Sequence, residues 1–436
     1  MKCLVYGFFS LLIMLTHSCT TANIFGSKSA RQQYADGLEQ AGLQQSVLGR
    51  EWFSQSQKAI ETALAVNIPY RENGYFAADV PRSAGIRLRP KQGQELIITV
   101  VVQPRTGARL FVELWKTTGN QNKPKLIMAA DSSLTIRYEV DDDPELILTL
   151  QPELLAAVSY SLSIVAEPSL AFPVPGNSGK KVGSFWGDQR DGGSRKHEGI
   201  DIFDAFRTPL IAAEDGMITR VGENGLGGKV IWLSPAGKDY NLYYAHLDEQ
   251  LVSGMQRVQK GDTIGLMGNT GNARNTPSHL HFGIYTRKGA VDPLPFIQQV
   301  PQKTEPVKGV LLNTGARTTK KVNLLNTPAQ KSVTIAELKP GTFIQIEGAA
   351  GSYYKVIMPD GTAGFLPLTA IEELNKPLRS SALKASSFFT IKPDSTTAVI
   401  KQINNATQVK ILALFNNYIY TTIDGQNGWL SSEGLE

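Results

Sequence analysis

The chain has 436 residues, 42% of them hydrophobic and 19% charged. It is too long for one ordinary core and too apolar for a disordered polymer, so several folded domains are expected. The formal net charge of +5 is mild and is not gathered into a basic run, which argues against nucleic acid as a partner.

The chain opens with Met1 and Lys2, followed by an apolar run over residues 4–15 (LVYGFFSLLIML). That run has the length of a signal peptide rather than of a membrane span. Residues 16–19, Thr-His-Ser-Cys, resemble the lipobox that directs lipid attachment to a cysteine, although His17 departs from its usual small or aliphatic residue. The expectation for 1–19 is therefore an export signal ending in a lipid anchor at Cys19, on a lipoprotein facing the periplasm. Ordinary cleavage near Ser18 or Ala22 is the alternative and would release a soluble periplasmic or secreted protein. The only other cysteine, Cys3, leaves with the signal. No internal disulfide is then available, and any metal must be held by nitrogen and oxygen.

Residues 29–70 read as a helical segment. Tyr34, Leu38 and Ala41, then Leu48, Trp52, Ile60 and Leu64, recur at helical spacing, with Gly42 and Gly49 as interruptions. Over 75–168 the period becomes two, as in Leu110-Val112-Leu114, Ile136-Tyr138-Val140 and Tyr160-Leu162-Ile164, which predicts an antiparallel β-sandwich. Residues 171–180 (AFPVPGNSGK) have linker composition.

Residues 172–300 hold His197, His246, His279 and His281, all but one of the chain's five histidines. A lone histidine is usually a satisfied core or surface residue. Four confined to one segment point instead to a site. In PSHLHFGIY (277–285), His279 and His281 stand two apart on a β-rich stretch and project from the same face of a strand. In KHEGID (196–201), His197 precedes Asp201 by four residues, with Gly199 between them where backbone can approach closely. Two imidazoles and a carboxylate make a three-ligand nitrogen and oxygen set that leaves one tetrahedral position open, as catalytic zinc requires.

These motifs resemble the lysostaphin-type zinc metallopeptidases, also called the LytM or glycyl-glycine endopeptidase family. The pattern H-x-x-x-D reads HEGID here, H-x-H reads HLH, and the intervening histidine lies in YAHLD (244–248). FWGDQR (185–190), TPLIAAEDGMI (208–218), VQKGDTIGLMGNTGN (258–272) and VDPLPFI (291–297) also match. The resemblance covers about a quarter of the chain. It implies a mainly β fold with an antiparallel catalytic domain of the duplicated hybrid motif type. It also implies that His197, Asp201 and His281 bind one Zn2+, that His279 orients or deprotonates the attacking water, and that His246 assists proton transfer or stabilises the oxyanion. Two departures stand out. Arg207 replaces the glycine usual before Thr208-Pro209, and the short stretch between Arg190 and His197 leaves any substrate-contacting loop tyrosine of relatives without an evident counterpart.

The glycines at 225–228 lack the lysine and hydroxyl residue of a phosphate loop and read as a tight β-turn, so no nucleotide is expected. Arg190, Arg195, Lys196 and Lys229 are candidates to meet substrate carboxylates.

After a linker at 301–309, DGTAGFL (360–366) recurs as DGQNGWL (424–430), an offset of 64 residues. Residues 309–374 and 383–436 resemble bacterial SH3-like (SH3b) domains, which implies two small barrels. Phe365 and Trp429 are either part of a wall-binding surface or core residues of barrels that brace the enzyme. The resulting expectation is an exported zinc metalloendopeptidase acting on peptidoglycan stem peptides or cross-bridges. The alternatives are a non-catalytic regulator that activates another wall hydrolase, a wall-binding tether, and an enzyme whose groove is covered by its own flanking modules.

Overall fold

The computed structural model describes residues 28–103, 107–117, 124–176, 181–299 and 303–435. The expected signal segment and Cys19 lie outside these residues. The architecture is mainly β throughout.

Two helices, Ala30–Gln40 and Val47–Glu61, lead in. Ser29 caps the first with a full capping box, and Ser46 caps the second by accepting from the Gly49 amide. Gly42 separates the helices at φ 70°, where glycine is at ease. Gly49, expected as an interruption, instead lies inside the second helix. A Cβ there would sit 2.0 Å from the Leu43 carbonyl oxygen, so that glycine serves close packing. Trp52 packs with Leu38 and Phe111, and its indole N–H donates to the Pro152 carbonyl. This contact fixes the helices on the outer face of the first β module.

That module is two sheets around one core. One sheet runs Leu64–Ala65, Ala84–Leu88, Leu146–Pro152, Leu110–Thr117, Pro124–Ala129. The facing strands are Tyr70–Phe76, Val158–Pro168, Gln94–Val102 and Thr135–Glu139. Alternate residues such as Leu96, Ile98, Leu148 and Ile164 point inward and are buried, as the period-two pattern requires.

The second of these sheets does not end at the module's edge. Tyr70–Phe76 also pairs with Phe343–Ala350 of the C-terminal region, with Asn73 opposite Ala349 and Gly74 opposite Gly348. Residues on either side of the whole 172–300 segment thus form one 11-stranded sheet. The two C-terminal repeats share a strand order. In the first, Thr334–Leu338, Val322–Leu325, Ala363–Pro367, Tyr353–Ile357 and Phe343–Ala350 are consecutive neighbours. In the second the counterparts are Val399–Ile403, Ser387–Thr390, Gln426–Ser431, Tyr418–Ile423 and Ala413–Phe415. The aromatic residue of each repeat motif is buried at a seam. Phe365, 1% exposed, joins the core of the first β module, and Trp429, 4% exposed, packs on Phe343 of the preceding repeat at 5.1 Å.

The central segment forms its own antiparallel sheet in the order Val182–Ser184, Ile200–Phe203, His279–Thr286, Tyr240–Gln250, Gly228–Pro235, Gly216–Asn224, Arg257–Val258. It meets the first module through Phe296, whose ring covers Gly93 and whose carbonyl accepts from the Leu170 amide, and through the Lys238–Glu139 ion pair.

Candidate metal centre

Alternation along the central strands builds the site. Ile200 and Ile202 point into the core, so Asp201 faces the other way. On the next strand Leu280, Phe282 and Ile284 are core, leaving His279, His281 and Tyr285 on the opposite face. Asp201 pairs in register with His281, which on its far side faces Ala245. The two HLH imidazoles therefore share one face, as the spacing predicts.

His197 Nε2 lies 2.9 Å from His281 Nδ1, and Asp201 Oδ1 lies 3.1 Å from each of these nitrogens. The Phe185 carbonyl, 2.9 Å from His197 Nδ1, can only accept, and Arg190 Nη2, 3.1 Å from the same nitrogen, spends its two hydrogens on Asp201 and Ser184, so Nδ1 carries the hydrogen and Nε2 presents a lone pair. Three acceptor atoms this close need a proton or a cation among them. Nitrogen and carboxylate oxygen with no thiolate is a donor set that fits a divalent metal such as zinc. Gly199 makes room for the set: a Cβ there would stand 2.7 Å from His281 Cε1.

Arg190 supports the same group. Its Nη2 donates to Asp201 Oδ2 at 2.8 Å and to Ser184 Oγ at 2.6 Å. The arginine expected to meet a substrate carboxylate thus holds a carboxylate of the protein itself, orienting Oδ1 toward the two histidines. Lys229 is likewise engaged, donating to the Asp248 carbonyl. Burial alone would raise the Asp201 pKa, but hydrogen bonds and charge from His197 and His281 outweigh it and hold the carboxyl far below its usual range. Burial lowers His281 despite Asp201, which keeps its imidazole neutral as a ligand must be.

His246 reaches the site by a feature that periodicity misses. It has φ 65°, and the strand carries one more residue between Tyr244 and Leu247 than its neighbour does between Lys229 and Ile231. This bulge puts both Ala245 and His246 on the cleft side while Tyr244 and Leu247 stay in the core. The His246 amide donates to Gly227 O at 2.7 Å, within the glycine turn that closes the hairpin. That turn, held by Asn224 Oδ1 accepting from the Gly227 amide, is the expected β-turn. His246 Nδ1–H donates to Thr270 O and His279 Nδ1–H to Pro277 O, each at 2.9 Å. Both rings are left with Nε2 as an acceptor, and their centroids are 4.9 Å apart. Burial, then His279 and His281, push the His246 pKa down to about 4.

The cleft encloses about 560 Å³, and its described lining runs only from Ser184 to Tyr285. Among the described residues no flanking module lines the cleft. Where Arg207 replaces a glycine, the backbone is left-handed at φ 65°, the conformation that explains glycine's preference there. Arg207 is anchored by Asp248 and Glu249. The short stretch after Arg190 is a tight hairpin pairing Gln189–Arg190 with Arg195–Lys196, and the cleft tyrosines come instead from strands, at 243 and 285.

Residues 195–293 match the sequence profile of peptidase family M23. This segment belongs to peptidase family M23. The M23 domain is 34% identical over 140 residues to an L-Ala--D-Glu endopeptidase of Bacillus subtilis, covering 29% of this chain and 43% of that protein. It is 33% identical over 116 residues to the peptidoglycan DD-endopeptidase ShyC of Vibrio cholerae, covering 26% of each. It is also 32% identical over 121 residues to the murein hydrolase activator NlpD of Escherichia coli, covering 28% of this chain and 30% of that one. The chain thus spans less than half the length of these curated relatives.

Proposed function

We propose that the chain is a zinc-dependent endopeptidase that hydrolyses peptide cross-links of peptidoglycan in the bacterial envelope. The observation that carries this reading is the convergence of the His197, Asp201 and His281 ligand atoms, with His246 and His279 beside them, in a cleft whose described lining comes from the central segment. His197, Asp201 and His281 would hold Zn2+. When bound, the metal supplies Lewis acidity toward a scissile carbonyl and lowers the pKa of water. Water adds across the peptide bond: its oxygen goes to the carbonyl carbon, the C–N bond breaks, and a proton ends on the leaving amine. His279 Nε2 is the acceptor for the proton of the attacking water. His246 is neutral and presents Nε2 as an acceptor, which supports a part in proton transfer rather than a standing donor to an oxyanion.

Lipidation at Cys19 and residence in the periplasm are part of this proposal, as are stem peptides or cross-bridges as substrate. D-Ala to diaminopimelate cross-links are preferred over glycine bridges. The C-terminal repeats, read as SH3-like barrels, act as braces, because Phe365 and Trp429 are buried at seams. Similarity to a hydrolase activator supports a second reading, a non-catalytic regulator.

Digestion of purified sacculi separates the two. Release of monomers from cross-linked dimers, seen by mass spectrometry and abolished by chelator or by His281→Ala, is the expected result. No release by the metal-loaded chain, together with stimulation of a wall amidase, would establish the regulator instead.

A further inference from the structure

One wall of the cleft is an aromatic shelf that the five-residue constellation does not use. Trp232, Tyr243 and Tyr285 come from three adjacent strands. Trp232 pairs in register with Tyr243, and their ring centroids are 4.5 Å apart. Tyr285 lies 5.2 Å from Trp232 and 5.9 Å from Tyr243. The residue opposite Tyr243 on the Tyr285 strand is Gly283, where a Cβ would stand 2.8 Å from the Tyr285 ring. Glycine there lets the Tyr285 ring fold back beside Tyr243, so the three rings form one surface. The inner end of the shelf meets the metal centre, with Tyr243 at 5.9 Å from the His281 ring. At the outer end the Tyr285 hydroxyl is 3.4 Å from the exposed carboxylate of Glu198, the residue next to His197, and Arg195 lines the same cleft near Tyr285.

Aromatic faces attract cations through the ring quadrupole, and an adjacent carboxylate adds a Coulomb partner. A shelf of rings ending in an acid, beside the reacting centre, fits an aliphatic chain that carries an ammonium at its tip. Resting on the peptidase reading above, we propose that the shelf and Glu198 select a diamino-acid residue of the substrate peptide whose side-chain amine is not itself taken up in the cross-link. Its methylenes lie along Trp232, Tyr243 and Tyr285, and its free ammonium lies against Tyr285 and Glu198. Glu198 and Tyr285 are specificity residues, distinct from the groups that handle the reacting water. A glycine bridge, having no side chain, leaves the shelf empty.

The test is calorimetric titration of the metal-loaded full chain with an N-terminally capped stem tetrapeptide containing diaminopimelate, the same peptide acetylated at its side-chain amine, and N-terminally capped pentaglycine. In parallel, cleavage of native and acetylated sacculi is followed by mass spectrometry. Wild type is expected to bind the acetylated peptide about ten-fold more weakly, the size of a desolvated cation–aromatic contact. Glu198→Gln should bind the native peptide more weakly and lose the discrimination. Tyr285→Phe should keep it and Tyr285→Leu should not. Equal binding of native and acetylated peptide by wild type, discrimination retained in Glu198→Gln, or tighter binding of pentaglycine would overturn the proposal. Selective binding without any cleavage would sustain the shelf and overturn the peptidase reading, so the two fail separately.

Discussion

The buried ion pair between Glu72 and Lys355 is expected to hold the first β module and the first C-terminal repeat in one cooperative unit. Glu72 is 1% exposed and Lys355 5% exposed, and Lys355 Nζ stands 2.9 Å from Glu72 Oε1. Tyr160 donates to the same oxygen at 2.6 Å, and Tyr70 donates to Oε2 at 2.5 Å. Lys355→Met removes the cation paired with Glu72 among the described residues and leaves a buried carboxylate with two phenol donors. Breaking a buried pair from one side costs about 3–5 kcal/mol. The two remaining donors place this case near the lower end, about 3 kcal/mol. For a unit of roughly 200 residues that loss lowers the melting temperature by about 6–12 °C. The double variant Glu72→Gln/Lys355→Met leaves no buried charge and should recover much of the loss, because replacing both partners is often neutral. Differential scanning calorimetry of the full chain reads both effects. The M23 domain, which does not touch the pair, should keep its metal content throughout. The reasoning fails if Lys355→Met melts with the wild type, or if the double variant is no more stable than the single one.

Two other perturbations test separate parts of the structure. Glu113 is 2% exposed, accepts from Ser29 Oγ at 2.5 Å through one oxygen, and has its other oxygen buried without a partner among the described residues. Burial raises its pKa against the opposing pull of Ser29 and Arg31. A carboxyl raised in the folded state binds protons more readily there, so its stability contribution is greatest at low pH. That contribution declines as pH rises from the unfolded value, about 4.3, through the folded one. Glu113→Gln should therefore flatten that decline and stabilise the chain at neutral pH, as read by urea unfolding at several pH values; an unchanged pH profile would refute the assignment. Gly199→Ala drives a methyl into the His281 ring and the Phe282 carbonyl. Metal affinity should fall about 10–100-fold, the range for disturbed support of a ligand. Chelator competition measures it, and wild-type affinity would show that the strand yields freely.

The donor set was legible because its signals are local. His197 and Asp201 lie within five residues, His279 and His281 share a strand face by period, and identity of residue type does the rest. His246 was legible only through its motif, since a left-handed residue in a bulge breaks the alternation that places its neighbours. The role of Arg190 was misread because a positive residue near a cleft looks the same in sequence whether it meets the substrate or a ligand. The aromatic shelf was missed for a related reason. Trp232, Tyr243 and Tyr285 are far apart along the chain, and only strand order, with Gly283 opening the space, brings their rings together.

The linkage between modules was illegible for a deeper reason. Sequence segments suggest beads on a string, with residues 75–168 and 309–374 separated by the M23 domain. Yet Asn73 and Gly74 pair with Ala349 and Gly348, and Phe365 completes a core begun by Leu96 and Ile98. Arg317 then binds the second repeat, donating to the carbonyls of Lys376 and Leu412 at 2.7 Å each. Each seam is built from buried backbone pairing, a buried aromatic residue or a buried charge. Separating the modules would expose apolar surface and unpaired polar groups together, a cost that loosely tethered modules do not carry. The M23 domain is therefore a long insertion between two parts of one scaffold, joined among the described residues by Phe296 on Gly93, by Leu170 in its core, by backbone hydrogen bonds from Leu170 to Phe296 and from Ala171 to Ala213, and by the Lys238–Glu139 ion pair. The described walls of the cleft come from the domain's own strands and turns. That is why the choice of substrate is sought in Trp232, Tyr243, Tyr285 and Glu198 rather than in the flanking modules.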